Sequence, residues 1–163
     1  GLMLLLKSYL EKFLTKKSLN NVRIKVLGDI SKLDKSLRES IEKIVENSKD
    51  NTGLTLNIAF NYGGRDEITK AVKQIAEKVE DKELKIEDIN EDVVSNYLYT
   101  QGEPELDLLI RPGGELRVSN FLLWQLAYAE FLFTNKYWPD FTEEDLLEAI
   151  ATFESRNRKF GGK

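Results

Sequence analysis

The chain has 163 residues and a formal net charge of −4, so its bulk electrostatics do not favour nucleic acid or acidic membranes as partners. It contains no cysteine and no histidine, which excludes disulfides, thiolate nucleophiles, Ser-His-Asp triads and imidazole metal ligands. Any metal would have to be a hard cation held by oxygen atoms, with Mg²⁺ as the first candidate.

The first half of the chain alternates between helical and strand spacing. Apolar residues recur at helical spacing over 2–15 and predict an amphipathic helix, without the basic start or cleavage site of a signal peptide. Residues 22–28, VRIKVLG, alternate apolar and charged side chains and predict a half-buried strand that ends at Gly28. A helix over 35–48 and a second strand over 54–60 follow.

The second half continues this alternation. The turn NYGG (61–64) leads into a predicted helix over 66–80, and another helix follows a short connection within 83–100. The remaining predicted elements are a strand over 106–110, a helix over 120–129, a strand over 130–133, and a closing helix over 142–160 with Thr142 as its N-cap and Glu144 and Asp145 in its first turn.

Strands that alternate with helices predict an α/β fold with a mainly parallel sheet flanked by helices. No repeat, low-complexity run or linker interrupts the sequence, so residues 1–163 are predicted to form a single domain. In such sheets ligands bind beyond the carboxyl ends of the strands. This rule directs attention to NYGG after the second strand and to RPGGE (111–115) after the third.

The segment IRPGGELRVSN (110–120) has the composition of an anion-binding turn. Arg111 directly follows the third predicted strand, and Arg117 returns six residues later. Two adjacent glycines allow positive φ and close approach to a ligand, and Ser119 or Asn120 would cap the following helix. Forked guanidiniums, a hydroxyl and a helix start suit a phosphate group. The alternative is an ordinary strand-to-helix turn with solvated arginines.

Glu115 and Glu130 have two interpretations. Acidic side chains near clustered arginines are usually salt-bridge partners, whereas carboxylate oxygens can also hold a Mg²⁺ ion that bridges to phosphate. A continuous helix from Ser119 would place Glu130 about 16 Å further along, at ~1.5 Å per residue. Glu130 therefore shares a site with Ser119 only if the helix is short and bends back, or if two subunits share the site.

Three further segments carry hypotheses. The run FLLWQLAYAEFLF (121–133) is apolar nearly all round, and a second subunit is the favoured cover for the face that the sheet leaves open. NYGGRDE (61–67) is interpreted as a strand-to-helix turn with Asp66 and Glu67 complementing the helix dipole, in preference to a phosphate site. The basic tail RNRKFGGK (156–163) is either solvated or an arm that reaches a diphosphate in a neighbouring subunit.

Four motifs together resemble the cis-prenyltransferase family, most closely its bacterial undecaprenyl diphosphate synthase branch. They occur in the family's order over nearly the whole chain: NTGLTLNIAFNYGGRDEI (51–68), DLLIRPGGELRVSNFLLWQLAYAEFLF (107–133), WPDF (138–141) and RNRKFGG (156–162). The resemblance implies a Mg²⁺-dependent transferase that adds isopentenyl diphosphate to an allylic diphosphate such as farnesyl diphosphate. Its product would be a polyprenyl (undecaprenyl) diphosphate carrier lipid with cis double bonds.

The resemblance also implies roles for individual residues of the strand-end motif. Arg111, Arg117 and Ser119 match the residues that bind the diphosphate of isopentenyl diphosphate. Glu130 matches a glutamate tied to Mg²⁺ binding and catalysis, and Glu115 matches a supporting glutamate. These roles extend the anion-binding interpretation of the same turn.

Further implied roles concern assembly and the growing chain. The family is a homodimer, here through the 119–133 region, in which Arg158 and Gly161 of the tail would complete the site of the partner subunit. Val22 and Leu54 match positions that line a hydrophobic tunnel. A cytoplasmic location follows from the resemblance, and the lipid product would allow peripheral association with the inner face of the membrane.

The chain departs from the family pattern in three missing segments and at two substituted positions. The family's opening strand, its Asp-Gly-Asn-Gly-Arg-Trp loop and its Glu-Asn-Trp segment have no counterpart here, so we expect an N-terminally truncated domain that holds the isopentenyl half of an active site. Pro112 and Leu116 stand where threonine and a polar residue are frequent. Two alternatives stay open: a non-catalytic prenyltransferase-like subunit that partners a catalytic chain, and a general phosphate-binding α/β module.

Overall fold

The computed structural model describes residues 21–156, and the chain divides into two compact units between Tyr62 and Gly63. The predicted helix over 2–15 and the basic tail beyond residue 156 lie outside the described residues. Both units combine parallel strands with helices, which confirms the predicted α/β class. The single domain over 1–163 stays a prediction.

The first unit is a βαβ unit. It consists of strand β1 (Arg23–Leu27), helix α1 (Lys35–Ser48) and strand β2 (Thr55–Ala59), all within the predicted ranges. The two strands pair in parallel, in a register that runs from Arg23↔Thr55 to Leu27↔Ala59. A parallel pair needs a crossover connection, and α1 supplies it.

The core of the first unit lies between β1 and α1. Leu37, Ile41 and Ile44 recur at helical spacing, so they share one face of α1 and pack against Ile24 of β1. The end of the helix is also tied to the strand, because the Ile24 N–H donates to the buried Ser48 Oγ at 3.0 Å. Apolar burial and one satisfied polar contact together fix the helix on the strand.

The second unit carries the remaining elements. It contains α2 (Gly64–Glu80), a 3₁₀ turn at Ile86–Asp88, α3 (Glu91–Ser95), β3 (Leu108–Arg111), a 3₁₀ turn at Gln125–Tyr128, β4 (Glu130–Phe133), a 3₁₀ turn at Trp138–Asp140 and α4 (Glu143–Glu154). Among residues 21–156 the strands form two parallel pairs, β1 with β2 and β3 with β4, rather than one larger sheet.

The pairing of β3 with β4 positions the candidate turn. The register runs from Leu108↔Glu130 to Arg111↔Phe133, so Arg111 lies at the carboxyl end of the pair and Glu130 at its amino end. The predicted strand over 130–133 is confirmed with the same bounds, and the strand predicted over 106–110 includes Arg111 as its last residue.

The predicted cap of the closing helix is confirmed. Thr142 and Asp145 form a capping box, in which each side chain accepts from the backbone N–H of the other residue. The Lys136 ammonium donates to the Asp145 carboxylate at 2.6 Å, and this contact holds the pKa of that carboxyl below its ordinary value. The helix ends at Glu154, earlier than the predicted 160.

The helix predicted over 120–129 is wrong. Ser119, Asn120 and Leu122 have φ angles of 48°, 63° and 44°, which a right-handed helix cannot contain. Only the short 3₁₀ turn at Gln125–Tyr128 forms in this segment. The apolar residues of this segment differ in burial: Leu126 is buried, whereas Tyr128 is 62% exposed.

None of the described helices has the length and hydrophobicity of a membrane span. Within residues 21–156, each helix is too short or too polar to qualify as a membrane span.

Candidate functional site

Arg111 is the last residue of β3, and its side chain carries a hydrogen-bond donor without an acceptor in the described part of the chain. Its backbone carbonyl continues the ladder by accepting from Thr134 N–H at 3.0 Å, while its side-chain Nε is buried and has no hydrogen-bond partner among the described residues. A buried guanidinium nitrogen without an acceptor is costly in a folded protein. The position therefore favours an added acceptor, and an anionic oxygen is the strongest acceptor for a guanidinium.

The glycine turn after Arg111 has the conformation that the sequence predicted. Gly113 and Gly114 have φ angles of 91° and 72°, which are confined largely to glycine. The segment after β4 holds the turn in place, because Gly113 N–H donates to Lys136 O at 2.7 Å and Gly114 N–H donates to Thr134 O at 2.9 Å. The turn is thus fixed beside the carboxyl end of the β3–β4 pair.

Arg117 and Glu115 form an ion pair on the surface. Their side chains are 63% and 45% exposed, respectively. Exposed ion pairs contribute only about 0–1 kcal/mol, so a doubly charged phosphate can replace the carboxylate at little cost. The contact confirms that Glu115 is a salt-bridge partner, and it leaves the Arg117 guanidinium accessible to a ligand.

The end of the motif folds back onto the start of α2. Asn120 O accepts from Gly64 N–H at 2.7 Å, and Asn120 Oδ1 accepts from Arg65 N–H at 2.9 Å. Gly63, the N-cap residue of α2, offers no side-chain acceptor of its own. Asn120 therefore serves as the cap of α2, whereas the sequence predicted a cap for a helix beginning at 120.

The two glycines of NYGG allow this close approach. A Cβ on Gly63 would lie 2.8 Å from Asn120 Nδ2, and one on Gly64 would lie 2.8 Å from Leu123 Cγ and 3.1 Å from the Leu123 backbone nitrogen. Gly63 and Gly64 are thus positions of contact between two segments, which agrees with the structural interpretation of the turn. The sequence pattern could not name the contacting segment.

Glu67 has a role that the sequence analysis missed. It was expected to complement the dipole of α2, yet it is only 1% exposed and accepts from the Tyr99 N–H at 2.8 Å. Its oxygens also accept from Gln125 Nε2 at 3.3 and 3.4 Å. A signal was present in the sequence, because Glu67 lies four residues before the buried Ala71 and therefore shares its helical face. Asp66, by contrast, pairs with Lys70 at 3.0 Å.

Within one chain, Glu130 lies at the opposite end of the β3–β4 pair from the glycine turn. It lies at the amino end of β4, opposite Leu108, whereas Arg111 pairs with Phe133 at the other end. The three-residue offset amounts to about 10 Å along a strand. Its carboxylate contacts Arg156 Nη1 at 3.0 Å, and that nitrogen also donates to Phe131 O at 3.0 Å.

The two predicted tunnel residues lie together in the first unit. Val22 and Leu54 each come just before a strand, and the Arg23 N–H donates to Leu54 O at 2.9 Å. Leu54 is 70% exposed and Val22 is half-buried. An exposed leucine beside a half-buried valine leaves apolar surface available at this strand end.

The described residues do not fit a complete magnesium site by themselves. Across 21–156 no three acidic side chains come close enough together to hold a metal ion. Glu130 and Glu115 each contact an arginine, at separate places in the second unit. Mg²⁺ usually takes oxygen atoms from one or two carboxylates, waters and phosphates, so Glu130 alone could supply only part of such a set.

Parallel strands, a crossover helix in the first unit and an arginine-bearing glycine turn at a strand end place the described residues in the α/β class, in which ligands bind beyond the carboxyl ends of the strands. A family model described as "Putative undecaprenyl diphosphate synthase" matches residues 1–161. The chain therefore belongs to this prenyltransferase family.

Known relatives agree with this placement. An isoprenyl transferase of Clostridium tetani is 52% identical over 99% of this chain, which covers 64% of that protein. A farnesyl-diphosphate-specific ditrans,polycis-undecaprenyl-diphosphate synthase of Haemophilus influenzae is 47% identical over 99% of the chain, which covers 68% of it. The chain spans 62% to 64% of the length of the first curated relatives.

A solved structure shows the same fold. Lavandulyl diphosphate synthase from Lavandula x intermedia, in complex with dimethylallyl diphosphate, superposes with a TM-score of 0.92 and 39% sequence identity. The match covers 99% of this chain and 70% of the plant enzyme.

Replacing Gly64 with alanine tests the contact between α2 and the 118–126 segment. In an open helix the change would stabilise by up to about 1 kcal/mol, because alanine has the higher helix propensity. Here the new methyl group meets Leu123, so we expect a net loss of about 1–3 kcal/mol in the free energy of unfolding. Urea denaturation measures it, with Glu77→Ala on the exposed face of α2 as a control expected within about 0.5 kcal/mol of the parent. A Gly64→Ala protein as stable as the parent would contradict the contact.

Proposed function

We propose that the protein is a cis-prenyltransferase that condenses isopentenyl diphosphate with an allylic diphosphate to build an undecaprenyl diphosphate carrier lipid. Family membership supports the reaction class, and the printed specificity of the Haemophilus influenzae relative suggests farnesyl diphosphate as the allylic substrate. The observation that carries the proposal is the buried, unpartnered Nε of Arg111 beside the glycine turn.

The turn would hold the diphosphate of isopentenyl diphosphate. Arg111 offers a buried donor at the strand end, and Arg117 offers an exposed guanidinium whose pairing with Glu115 is readily exchanged. Ser119 adds a hydroxyl that is exposed. Two guanidiniums and a hydroxyl can bind several phosphate oxygens at once, which fixes the orientation of the attached isopentenyl group.

Orientation and charge stabilisation are the main demands of this chemistry. The allylic C1–O bond breaks and inorganic diphosphate leaves, C4 of the isopentenyl double bond forms the new bond to C1, and C2 loses a proton. None of the residues assigned to this site is an obvious general base, so we assign that proton to an oxygen of a diphosphate. Positive charge develops at the allylic carbon, so water must be excluded from it.

Apolar residues would provide this exclusion. We assign Val22 and Leu54 to the wall of a tunnel for the growing chain, supported by their proximity at one strand end and by the exposure of Leu54. The lipid product gives a reason for peripheral association of a cytoplasmic protein with the inner face of the membrane.

Glu130 and Glu115 receive their roles from the resemblance. We propose that Mg²⁺ serves the reaction when bound, with Glu130 as one ligand and further oxygens from a diphosphate and from residues outside the described range. Its present contact with Arg156 would then have to open. Glu115 supports the site indirectly, since its carboxylate orients the Arg117 guanidinium before a ligand arrives.

A homodimer through the 119–133 region would bring the remaining groups to the site. Tyr128 and Phe133 in this region are 62% and 38% exposed, and Leu147 on α4 is 58% exposed. The proposed interface would cover such exposed apolar side chains with the partner subunit. In the dimer, Arg158 and Gly161 of one tail would reach the diphosphate site of the partner, as the resemblance implies.

Alanine substitutions at the two arginines test the proposed substrate site. In the full-length protein, Arg111→Ala and Arg117→Ala should each raise the KM for isopentenyl diphosphate about 10- to 100-fold, because a charged hydrogen bond contributes about 1.5–3 kcal/mol. The KM for farnesyl diphosphate should stay within about threefold. Arg38→Ala, which removes an exposed arginine from α1, is the matched control.

An unchanged KM for isopentenyl diphosphate in both variants would refute the site. Calorimetry tests the phosphate-binding alternative, because a general phosphate-binding module would bind isopentenyl diphosphate no more tightly than inorganic pyrophosphate.

Sedimentation velocity tests the dimer. We expect the protein to sediment at twice its chain mass, and we expect Tyr128→Glu to weaken the dimer at least about tenfold, because an unpaired carboxylate would be buried at the interface. Ile86→Glu places the same charge on a side chain that is 73% exposed outside the proposed interface and serves as the control. A stable monomer, or a dimer insensitive to Tyr128→Glu, would exclude the 119–133 interface.

A further inference from the structure

The four residues Val118–Phe121 form a tight turn with an unusual backbone. The Phe121 N–H donates to Val118 O at 3.0 Å, and the two central residues, Ser119 and Asn120, have φ angles of 48° and 63°. Two positive φ values in a row are characteristic of type I′ turns, whose central positions are normally glycine, asparagine or aspartate. Asparagine suits its position, whereas serine does not.

Ser119 gains no described contact from this unfavourable conformation. Its side chain is exposed, and its hydroxyl makes no hydrogen bond among residues 21–156. A strained residue persists only where its surroundings hold it, and such residues concentrate at ligand sites. A contact of a neighbouring residue must therefore hold Ser119 in this conformation.

Asn120 provides that contact. Its backbone carbonyl and its side-chain Oδ1 accept from Gly64 and Arg65, the first two residues of α2, at 2.7 and 2.9 Å. Two hydrogen bonds to adjacent N–H groups fix both the position and the rotation of Asn120. Because Ser119 directly precedes Asn120, the backbone of Ser119 and the direction of its Cα–Cβ bond are constrained as well.

We propose that Asn120 is a positioning residue: by anchoring the Val118–Phe121 turn on the start of α2, it holds the backbone of Ser119 where the serine hydroxyl can reach a bound diphosphate. This inference rests on the proposed function and extends it to a residue that touches no substrate atom. It also accounts for the matched residues of two segments more than fifty residues apart, NYGG and RVSN: Gly63 leaves room for the Asn120 amide, and the Gly64 N–H donates to the Asn120 carbonyl.

The test separates the side-chain contact from the backbone conformation. Asn120→Gly keeps positive φ available and removes only the acceptor for the Arg65 N–H. We expect the KM for isopentenyl diphosphate to rise about tenfold in the full-length protein, with kcat and the KM for the allylic substrate within about threefold. Asn90→Gly, which removes the analogous side-chain cap of α3, is the matched control and should leave every kinetic constant within about threefold.

A double-mutant cycle shows whether Asn120 acts through Ser119. If it does, Ser119→Ala alone raises the same KM, and adding Asn120→Gly to it raises the KM by no more than about threefold further. Independent, multiplying effects would overturn the inference. A loss of kcat with unchanged KM would also overturn it, because that pattern indicates a smaller folded fraction rather than displaced binding groups.

Gly63→Ala gives a second route to the same contact. Its backbone is extended, with φ of −157°, so alanine fits the conformation, but its Cβ would lie 2.8 Å from Asn120 Nδ2 and displace the amide. This variant should raise the KM for isopentenyl diphosphate even if Asn120→Gly does not fold, and an unchanged KM in it would overturn the inference.

The Arg111→Ala and Arg117→Ala variants distinguish failure of the positioning role from failure of the proposed function. If they raise the KM while Asn120→Gly and Gly63→Ala do not, the positioning role fails and the proposed function stands.

Discussion

The start of α2 is the constraint on which the arrangement of the second unit depends. The first N–H groups of a helix lack partners within the helix and must find acceptors elsewhere. Here Asn120 supplies two acceptors from another segment; Gly63 leaves room for its amide, and Gly64 leaves room for Leu123 of the same segment. The requirement to cap one helix therefore decides the path of the segment that follows the glycine turn. Glu67 reinforces this path by accepting from Gln125 on the same side of the helix.

The candidate site follows from that path and from one strand pair. The β3–β4 register places Arg111 at the carboxyl end, and Thr134 and Lys136 hold the glycine turn beside it. In the proposed site, donors fixed at a strand end would bind a diphosphate with little reorganisation, which is the form of preorganisation that positions one reactant against another. The two arginines differ in burial, since Arg111 is partly buried while Arg117 is exposed. Under the proposal, a diphosphate would meet Arg117 at the surface first and Arg111 at the strand end afterwards.

The sequence predicted the features that depend on neighbouring residues and missed those that depend on distant ones. The four described strands, the helices over 35–48 and 66–80, the Thr142 cap and the positive φ of Gly113 follow from local spacing and local conformational preference, and the structure confirms them. The helix over 120–129 failed because Asn120 finds its partner 55 residues away and bends the chain out of a helical path. Glu130 is a similar case, since only the strand register shows how far it lies from Arg111.

The most direct test of the account is a crystal structure of the full-length protein with isopentenyl diphosphate bound. The account predicts that phosphate oxygens lie within about 2.7–3.2 Å of the guanidiniums of Arg111 and Arg117 and of the hydroxyl of Ser119. It also predicts that Asn120 still accepts from the start of α2 in the complex. A diphosphate bound away from this turn, with the Arg111 Nε still lacking an acceptor, would contradict it.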